Sequence, residues 1–75
     1  MRRYKALSGD AGVVAYESGA EFIYLDFRDG RGYAYTYVRP GREDVEEMKR
    51  LAASGRGLTT YVNKYVRDRY ERRLH

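Results

Sequence analysis

The chain has no cysteine and no tryptophan, and only one proline and one histidine. Without cysteine, neither a disulfide framework nor a thiolate metal site can support the fold. The single histidine, His75, has no partner in the sequence that would orient it, so we expect no metal site, no cofactor and no catalytic residue. No stretch approaches the roughly 18 apolar residues that span a bilayer, and there is no apolar signal core. We therefore expect a cytoplasmic protein with no membrane contact.

Aromatic residues supply most of the material for a core. Nine tyrosines and two phenylalanines occur in 75 residues. A chain of this length forms one domain and buries only about 60% of the surface that its unfolded form exposes. Each large side chain therefore matters for stability.

The net charge of +4 is concentrated at the two ends of the chain. Residues 1–5 carry +3 and residues 56–75 carry +4, while the segments between them are slightly acidic. Basic ends suit a polyanionic partner, because phosphates neutralised by cations release counterions. The competing interpretation is a solvated helix face followed by a basic tail, which many proteins have.

Three strand signals come first along the chain. Residues 13–17 are valine-rich and bounded by glycine, and residues 20–28 alternate between two faces, which are patterns of β-strands. Asp29-Gly30 is typical of a hairpin turn, and residues 33–38 return as a third strand. Pro40 cannot donate to a sheet and is expected to end that strand.

Two helix signals follow from Arg42 onward. Acidic residues crowd the first turns of the first predicted helix, where they complement the helix dipole. Its apolar stripe is Val45, Met48, Leu51 and Ala52. Residues 54–57 break this helix, and a second is predicted from about residue 59 to residue 68. The second stripe is Leu58, Tyr61, Val62, Tyr65 and Val66.

The expected fold class is therefore α+β. We predict a three-stranded antiparallel β-meander followed by two α-helices packed on one face of the sheet. Residues 1–75 would form a single domain, with residues 1–7 as a flexible N-terminal extension.

The hairpin at Asp29-Gly30 can close in two registers that differ by one residue. A two-residue loop would place Tyr33 and Tyr35 on the open face of the sheet, away from Ile23 and Leu25. A three-residue loop would pair Leu25 with Tyr33 and Ile23 with Tyr35, which buries both tyrosines under the helices. The two registers exclude each other, because a one-residue slip moves every side chain to the other face.

The three-residue loop is the register that we favour. A small chain needs large side chains inside, and a buried tyrosine can keep its hydroxyl at the rim of the core. In either register Phe22 and Tyr24 stay on the open face, so some exposed aromatic surface is expected.

Several motifs occur in one order along almost the whole chain beyond residue 7. They are a lead-in strand at residues 8–16, Phe27-Arg28-Asp29-Gly30, Tyr33-Ala34-Tyr35, Leu51-Ala52-Ala53, residues 61–67 and Tyr70-Glu71-Arg72. This ordered set resembles the KTSC domain, which is named for its occurrence at the C-terminus of some lysyl-tRNA synthetases and also occurs as a stand-alone small bacterial protein. The resemblance implies RNA or tRNA binding, a role suggested by the fusion to synthetases. It places Asn63, Lys64 and Arg67 in the most distinctive polar part of the motif.

A non-enzymatic binding domain is the function that we expect. Basic residues of the second helix and the C-terminus would contact RNA phosphates, with a tyrosine stacking on bases. The candidate residues are Arg56, Tyr61, Asn63, Lys64, Arg67 and Arg69. The alternative is a protein-interaction module or weak homodimer that uses a free sheet edge or the exposed aromatics.

Overall fold

The computed structural model describes residues 1–7 and 12–75. The chain folds as an α+β domain whose strands form one antiparallel sheet in the order β1-β2-β3-β4-β5. The elements are β1 (Arg2–Arg3), β2 (Val13–Ser18), β3 (Phe22–Phe27), β4 (Gly32–Thr36), α1 (Arg42–Ser54), α2 (Leu58–Tyr61) with a π-helical continuation (Val62–Val66), and β5 (Arg72–Arg73). The start of the predicted lead-in strand, residues 8–11, lies outside the described residues. No helix in the described ranges is both long enough and apolar enough to cross a membrane.

The sheet has five strands instead of the three that the sequence predicts. The three predicted strands form its centre, and each pairs with the next along the chain. The two additional strands, β1 and β5, cover the outer edges of β2 and β4. Each consists of two arginines, so neither shows the alternation or the β-branched composition by which a strand is recognised.

The β3–β4 hairpin adopts the favoured three-residue register. Leu25 pairs with Tyr33 and Ile23 pairs with Tyr35. The amide of Phe27 donates to the carbonyl oxygen of Arg31 at 2.8 Å, which closes the loop. Gly30 has φ +93°, a conformation that side chains other than glycine rarely adopt. The predicted burial of Tyr35 is confirmed, with 0% of the residue exposed, while Tyr33 is half-buried at the edge of the core.

The core lies between one face of the sheet and the helices. The buried residues of both helical segments join those of the sheet in a single cluster. The predicted stripe of α1 is confirmed, since three of its four members are buried and Leu51 is half-buried. The cluster consists of Tyr4, Val13, Tyr16, Ile23, Leu25, Tyr35, Val45, Met48, Ala52, Leu58, Val62 and Val66.

The second helix differs from the predicted α-helix. After one α-helical turn it widens into the π-helical segment. A wider turn rotates each successive side chain by a smaller angle, so Val66 returns to the buried face and Tyr65 is turned away from it. The prediction of Tyr65 as a core residue was therefore wrong: 53% of this residue is exposed.

The N-terminal residues contribute to the core, although the sequence predicts a flexible extension there. Tyr4 is only 4% exposed. Its hydroxyl accepts a hydrogen bond from the amide of Leu58 at 3.0 Å, and its own amide donates to the carbonyl oxygen of Val14. Tyr4 thus joins β1 to the start of α2.

Candidate functional site

A cleft opens between the β3–β4 hairpin and the π-helical segment. Its volume is about 280 Å³. We call it the tyrosine cleft, and it is lined by Phe27, Asp29, Arg31, Tyr33, Tyr35, Val62, Asn63, Arg67 and Asp68. Two predicted site residues, Asn63 and Arg67, belong to it, and both tyrosines of the hairpin contribute to its wall.

The aromatic wall of the tyrosine cleft is held by ring contacts. Tyr33 stacks on Tyr70 with 4.3 Å between ring centroids and meets Phe27 edge-on at 5.8 Å. Tyr35 contacts Tyr70 in a T-shaped arrangement. Such contacts stabilise aromatic pairs beyond their buried area and keep the rings in one orientation.

The hydroxyl of Tyr35 ties the sheet to the end of the second helix. It donates to the backbone carbonyl oxygen of Arg67 at 3.3 Å. Burial raises the pKa of Tyr35 well above its ordinary value, with smaller contributions from Tyr33, Tyr70 and Asp68. The hydroxyl therefore remains protonated and available as a donor at neutral pH.

The π-helical segment presents Asn63 to the cleft, and Arg67 follows directly after it. Short π-helical insertions occur frequently at functional sites. The Asn63 side chain makes no hydrogen bond to any residue of the described ranges. A polar side chain without a protein partner at the rim of a cleft is available to a ligand.

Three predicted cations near the second helix have no carboxylate partner. Lys64, Arg67 and Arg69 are exposed, and none forms an ion pair with another described residue. Lys49 and Arg50 of α1 differ, because Lys49 pairs with Glu46 at 2.9 Å and Arg50 pairs with Glu47. The positive charge of these three side chains near the second helix is therefore not neutralised by ion pairs in the described structure. We call Lys64, Arg67 and Arg69 the free cations.

The predicted stacking residue Tyr61 is held in the contact between α1 and α2. Its hydroxyl donates to Asp44 Oδ1 at 2.6 Å. Burial and this hydrogen bond raise the pKa of Tyr61. Its ring is half-buried and lies 4.8 Å from that of Tyr65. Tyr65 is the more accessible ring of the pair, and Nζ of Lys64 lies 5.4 Å from its centroid.

Arg56 is separate from the tyrosine cleft. It is exposed in the short connection between α1 and α2, where its amide donates to the Ser54 hydroxyl. Arg69 also does not line the cleft; its amide donates to the carbonyl oxygen of Val66 in the turn that ends the helical segment. The six predicted residues are thus divided between the cleft, the outer face of the second helix and the flanking turns.

The open face of the sheet carries Phe22 and Tyr24, as predicted. Both are half-buried, and their rings stack with centroids 4.4 Å apart. The guanidinium of Arg72 lies over the Tyr24 ring at 5.8 Å and donates to its hydroxyl at 3.3 Å. β5 therefore covers part of the aromatic surface that the sequence predicts to be exposed.

His75 does have a partner, in contrast to the prediction. Its Nε2 lies 2.8 Å from Asp26 Oδ1, a contact that becomes an ion pair when the imidazole is protonated. The close approach depends on Gly32, where a Cβ atom would lie 2.6 Å from this nitrogen. His75 is brought close to Asp26 because β5 pairs with β4, and the sequence did not indicate this strand pairing. In the described part of the chain, no group of three His, Asp or Glu side chains comes together that could hold a metal ion.

Sequence reasoning missed much of the tyrosine cleft. Tyr33 and Tyr35 were predicted as core, and neither Phe27 nor Asp68 was among the candidate site residues. One signal was available, because the favoured register brings the tyrosines to the sheet face that the second helix covers. Which helical residues meet them depends on the π-helical turn, which has no recognisable sequence pattern.

Comparisons of the chain with protein-family models, with curated proteins and with solved structures found no match.

Proposed function

We propose that this chain is a small non-enzymatic domain that binds single-stranded RNA along its second helical segment and C-terminal residues. The observation that carries the proposal is the set of free cations, which are exposed and lack carboxylate partners in the described structure. Lys49 and Arg50 of α1 form ion pairs within that helix instead. The resemblance to the KTSC domain, with its synthetase fusion, supports RNA or tRNA as the partner.

The physical basis is phosphate neutralisation combined with base stacking. Unpaired cations displace the counterions that surround a nucleic-acid strand, and this release favours binding at low salt. Tyr65 adds an exposed ring beside Lys64. Stacking of a base on an aromatic ring contributes about 1–3 kcal/mol and tolerates any sequence.

Protein interaction or weak homodimerisation is the second proposal, and the structure favours it less. The aromatic pair Phe22 and Tyr24 lies outside the buried core cluster, on the sheet face opposite to Ile23 and Leu25. However, the outer strands are pairs of arginines, which discourage strand addition. Arg72 also shields part of Tyr24.

The test is fluorescence anisotropy of labelled single-stranded RNA, duplex RNA and DNA at several salt concentrations. With three phosphate contacts, the logarithm of the affinity for single strands should fall with the logarithm of salt with a slope of about −2. Replacing Lys64 and Arg67 together with alanine should reduce the slope to about −0.7 and weaken binding to every RNA.

The matched control is the double replacement of Lys49 and Arg50 with alanine. It removes the same two charges from α1, so a merely nonspecific effect of net charge would weaken binding equally in both variants. If none of the three nucleic acids binds at low salt, RNA binding is excluded and the protein partner becomes the leading proposal.

A further inference from the structure

The tyrosine cleft has the size of a site for one small planar group. Pockets for small molecules have volumes of about 300–1,000 Å³, and this cleft, at about 280 Å³, lies at the lower limit. It is therefore suited to a single nucleobase. The half-buried rings of Phe27 and Tyr33 line it and offer the π-surface on which a base stacks.

The aromatic wall is organised before any ligand binds. Tyr33 is braced by Tyr70 and Phe27, and Tyr35 is fully buried with its hydroxyl bound to the Arg67 carbonyl. A site whose rings are already fixed loses little conformational entropy on binding. The cleft is thus better prepared to receive a base than the exposed ring of Tyr65.

The polar groups of the cleft differ in their availability. Asp29 is engaged by Arg31, whose amide donates to Oδ1 at 3.0 Å and whose Nε lies 3.6 Å from Oδ2. Asn63, Arg67 and Asp68 have no side-chain hydrogen bond or ion pair within the described part of the chain. An amide, a guanidinium and a carboxylate are therefore free at the same cleft.

The free carboxylate of Asp68 indicates that the cleft is suited to a base and not to a phosphate. A carboxylate repels phosphate, but it accepts hydrogen bonds from the N–H groups of a base. Guanine has two adjacent donors, N1–H and the N2 amino group, together with two acceptors, O6 and N7, that arginine binds in a bidentate manner. Uracil has one N–H between two carbonyl groups, and adenine and cytosine each place a ring acceptor beside the amino group. Guanine offers two adjacent donors to the carboxylate and two adjacent acceptors to the guanidinium, so both free side chains can bind it in a bidentate manner.

We propose that the tyrosine cleft binds the guanine base of a single-stranded RNA, with Asp68 accepting from N1–H and the N2 amino group and Arg67 donating to O6 and N7. This inference rests on the proposed RNA-binding function and gives it a sequence preference. Lys64 and Arg69 then contact the phosphates on either side of the bound nucleotide, so an RNA whose guanine occupies the cleft should show a salt slope of about −1.4 instead of about −2.

The experiment compares labelled octamers of uridine that carry one central guanosine, inosine or adenosine. Inosine is the sharpest comparison, because it lacks only the 2-amino group of guanosine. The guanosine octamer should bind about tenfold more tightly than the inosine octamer, which corresponds to the loss of one base contact. It should exceed the adenosine octamer by a larger factor, because adenine lacks O6 and both donors. Asp68→Asn should reduce the preference for guanosine over inosine to less than about twofold.

The matched control for Asp68→Asn is Glu71→Gln, which removes the same charge from an exposed residue outside the cleft. It should leave the preference for guanosine unchanged. Circular dichroism of both variants establishes that they are folded, so that a lost preference reflects the cleft.

The possible outcomes separate this inference from the proposed function. Equal binding of all three octamers, lost on replacement of Lys64 and Arg67, overturns the guanine site while RNA binding stands. Displacement of the octamer by guanosine monophosphate, and not by adenosine monophosphate, supports the site. Binding of the free guanine nucleotide with no binding of any RNA overturns the RNA partner and assigns the cleft to a nucleotide.

Discussion

At the scale of single residues, Thr59 shows how one polar side chain joins the helices to the sheet. Thr59 is 9% exposed, and its hydroxyl oxygen accepts a hydrogen bond from the amide of Val13 at 2.9 Å. Gly12 lies against it, and a Cβ at that position would come within 2.6 Å of the Thr59 methyl carbon. The contact satisfies a buried backbone donor at the first residue of β2.

Replacing Thr59 with valine should lower the free energy of unfolding by about 1–3 kcal/mol, because the buried amide of Val13 loses its acceptor while the shape is kept. Urea denaturation followed by circular dichroism measures the change. Thr60→Val is the control: Thr60 is exposed, and its replacement should alter stability by less than about 0.5 kcal/mol. Equal effects of the two replacements would contradict the assigned role of the Thr59 hydroxyl.

At the scale of elements, the π-helical segment decides which side chains of the second helix face the core and which face solvent. Val62 and Val66 are buried, whereas Tyr65 is exposed. The same turn presents Asn63 to the tyrosine cleft, with Arg67 directly after it. A regular α-helix would have rotated Tyr65 closer to the buried stripe.

A π-helical segment and a regular α-helix predict different effects when Val66 and Tyr65 are replaced with alanine. Val66→Ala should destabilise the protein by about 2 kcal/mol, since it leaves a cavity in the core. Tyr65→Ala should change the free energy of unfolding by less than about 1 kcal/mol, because half of this residue is in solvent. Urea denaturation of both variants tests this, and a larger loss for Tyr65→Ala than for Val66→Ala would favour a regular α-helix.

At the scale of the whole molecule, the basic ends of the chain lie at the two edges of the sheet. β1 and β5 are both pairs of exposed arginines. An unpaired sheet edge offers free amide and carbonyl groups to another strand, and charge at the edge opposes that pairing. We therefore expect the basic charge at the two ends of the chain to oppose strand addition at the sheet edges.

Replacing Arg2 and Arg3 of β1 with valine should therefore promote self-association, because it removes like charges from an edge and adds residues with a strand preference. Light scattering should show a mass that rises with protein concentration. The control is Arg39→Val with Arg42→Val, which removes two exposed arginines outside the sheet strands and should leave the mass unchanged. A constant mass for the β1 variant would show that edge charge does not limit association.

The candidate site was predictable only in part. Asn63, Lys64 and Arg67 follow from the motif and from local charge, and the tyrosine pair follows from the hairpin register. Their grouping did not follow, because Asn63 and Arg67 line the tyrosine cleft while Lys64 lies beside Tyr65 on the outer face. Which residues lie on each face depends on the wider, π-helical turn, and no periodic pattern in the sequence indicates such a turn.

The sequence by itself determined the central strands and the first helix, because each depends on local periodicity and turn chemistry. It favoured the observed hairpin register without fixing it, through the need of a small chain to bury its tyrosines. The tertiary structure alone decided the positions of β1 and β5, the place of Tyr4 in the core and the assembly of the tyrosine cleft. These features join residues far apart in the chain, such as Tyr4 with Leu58 and Tyr35 with Arg67. No short segment of sequence carries information about such contacts, since they form only when the sheet and the helices pack together.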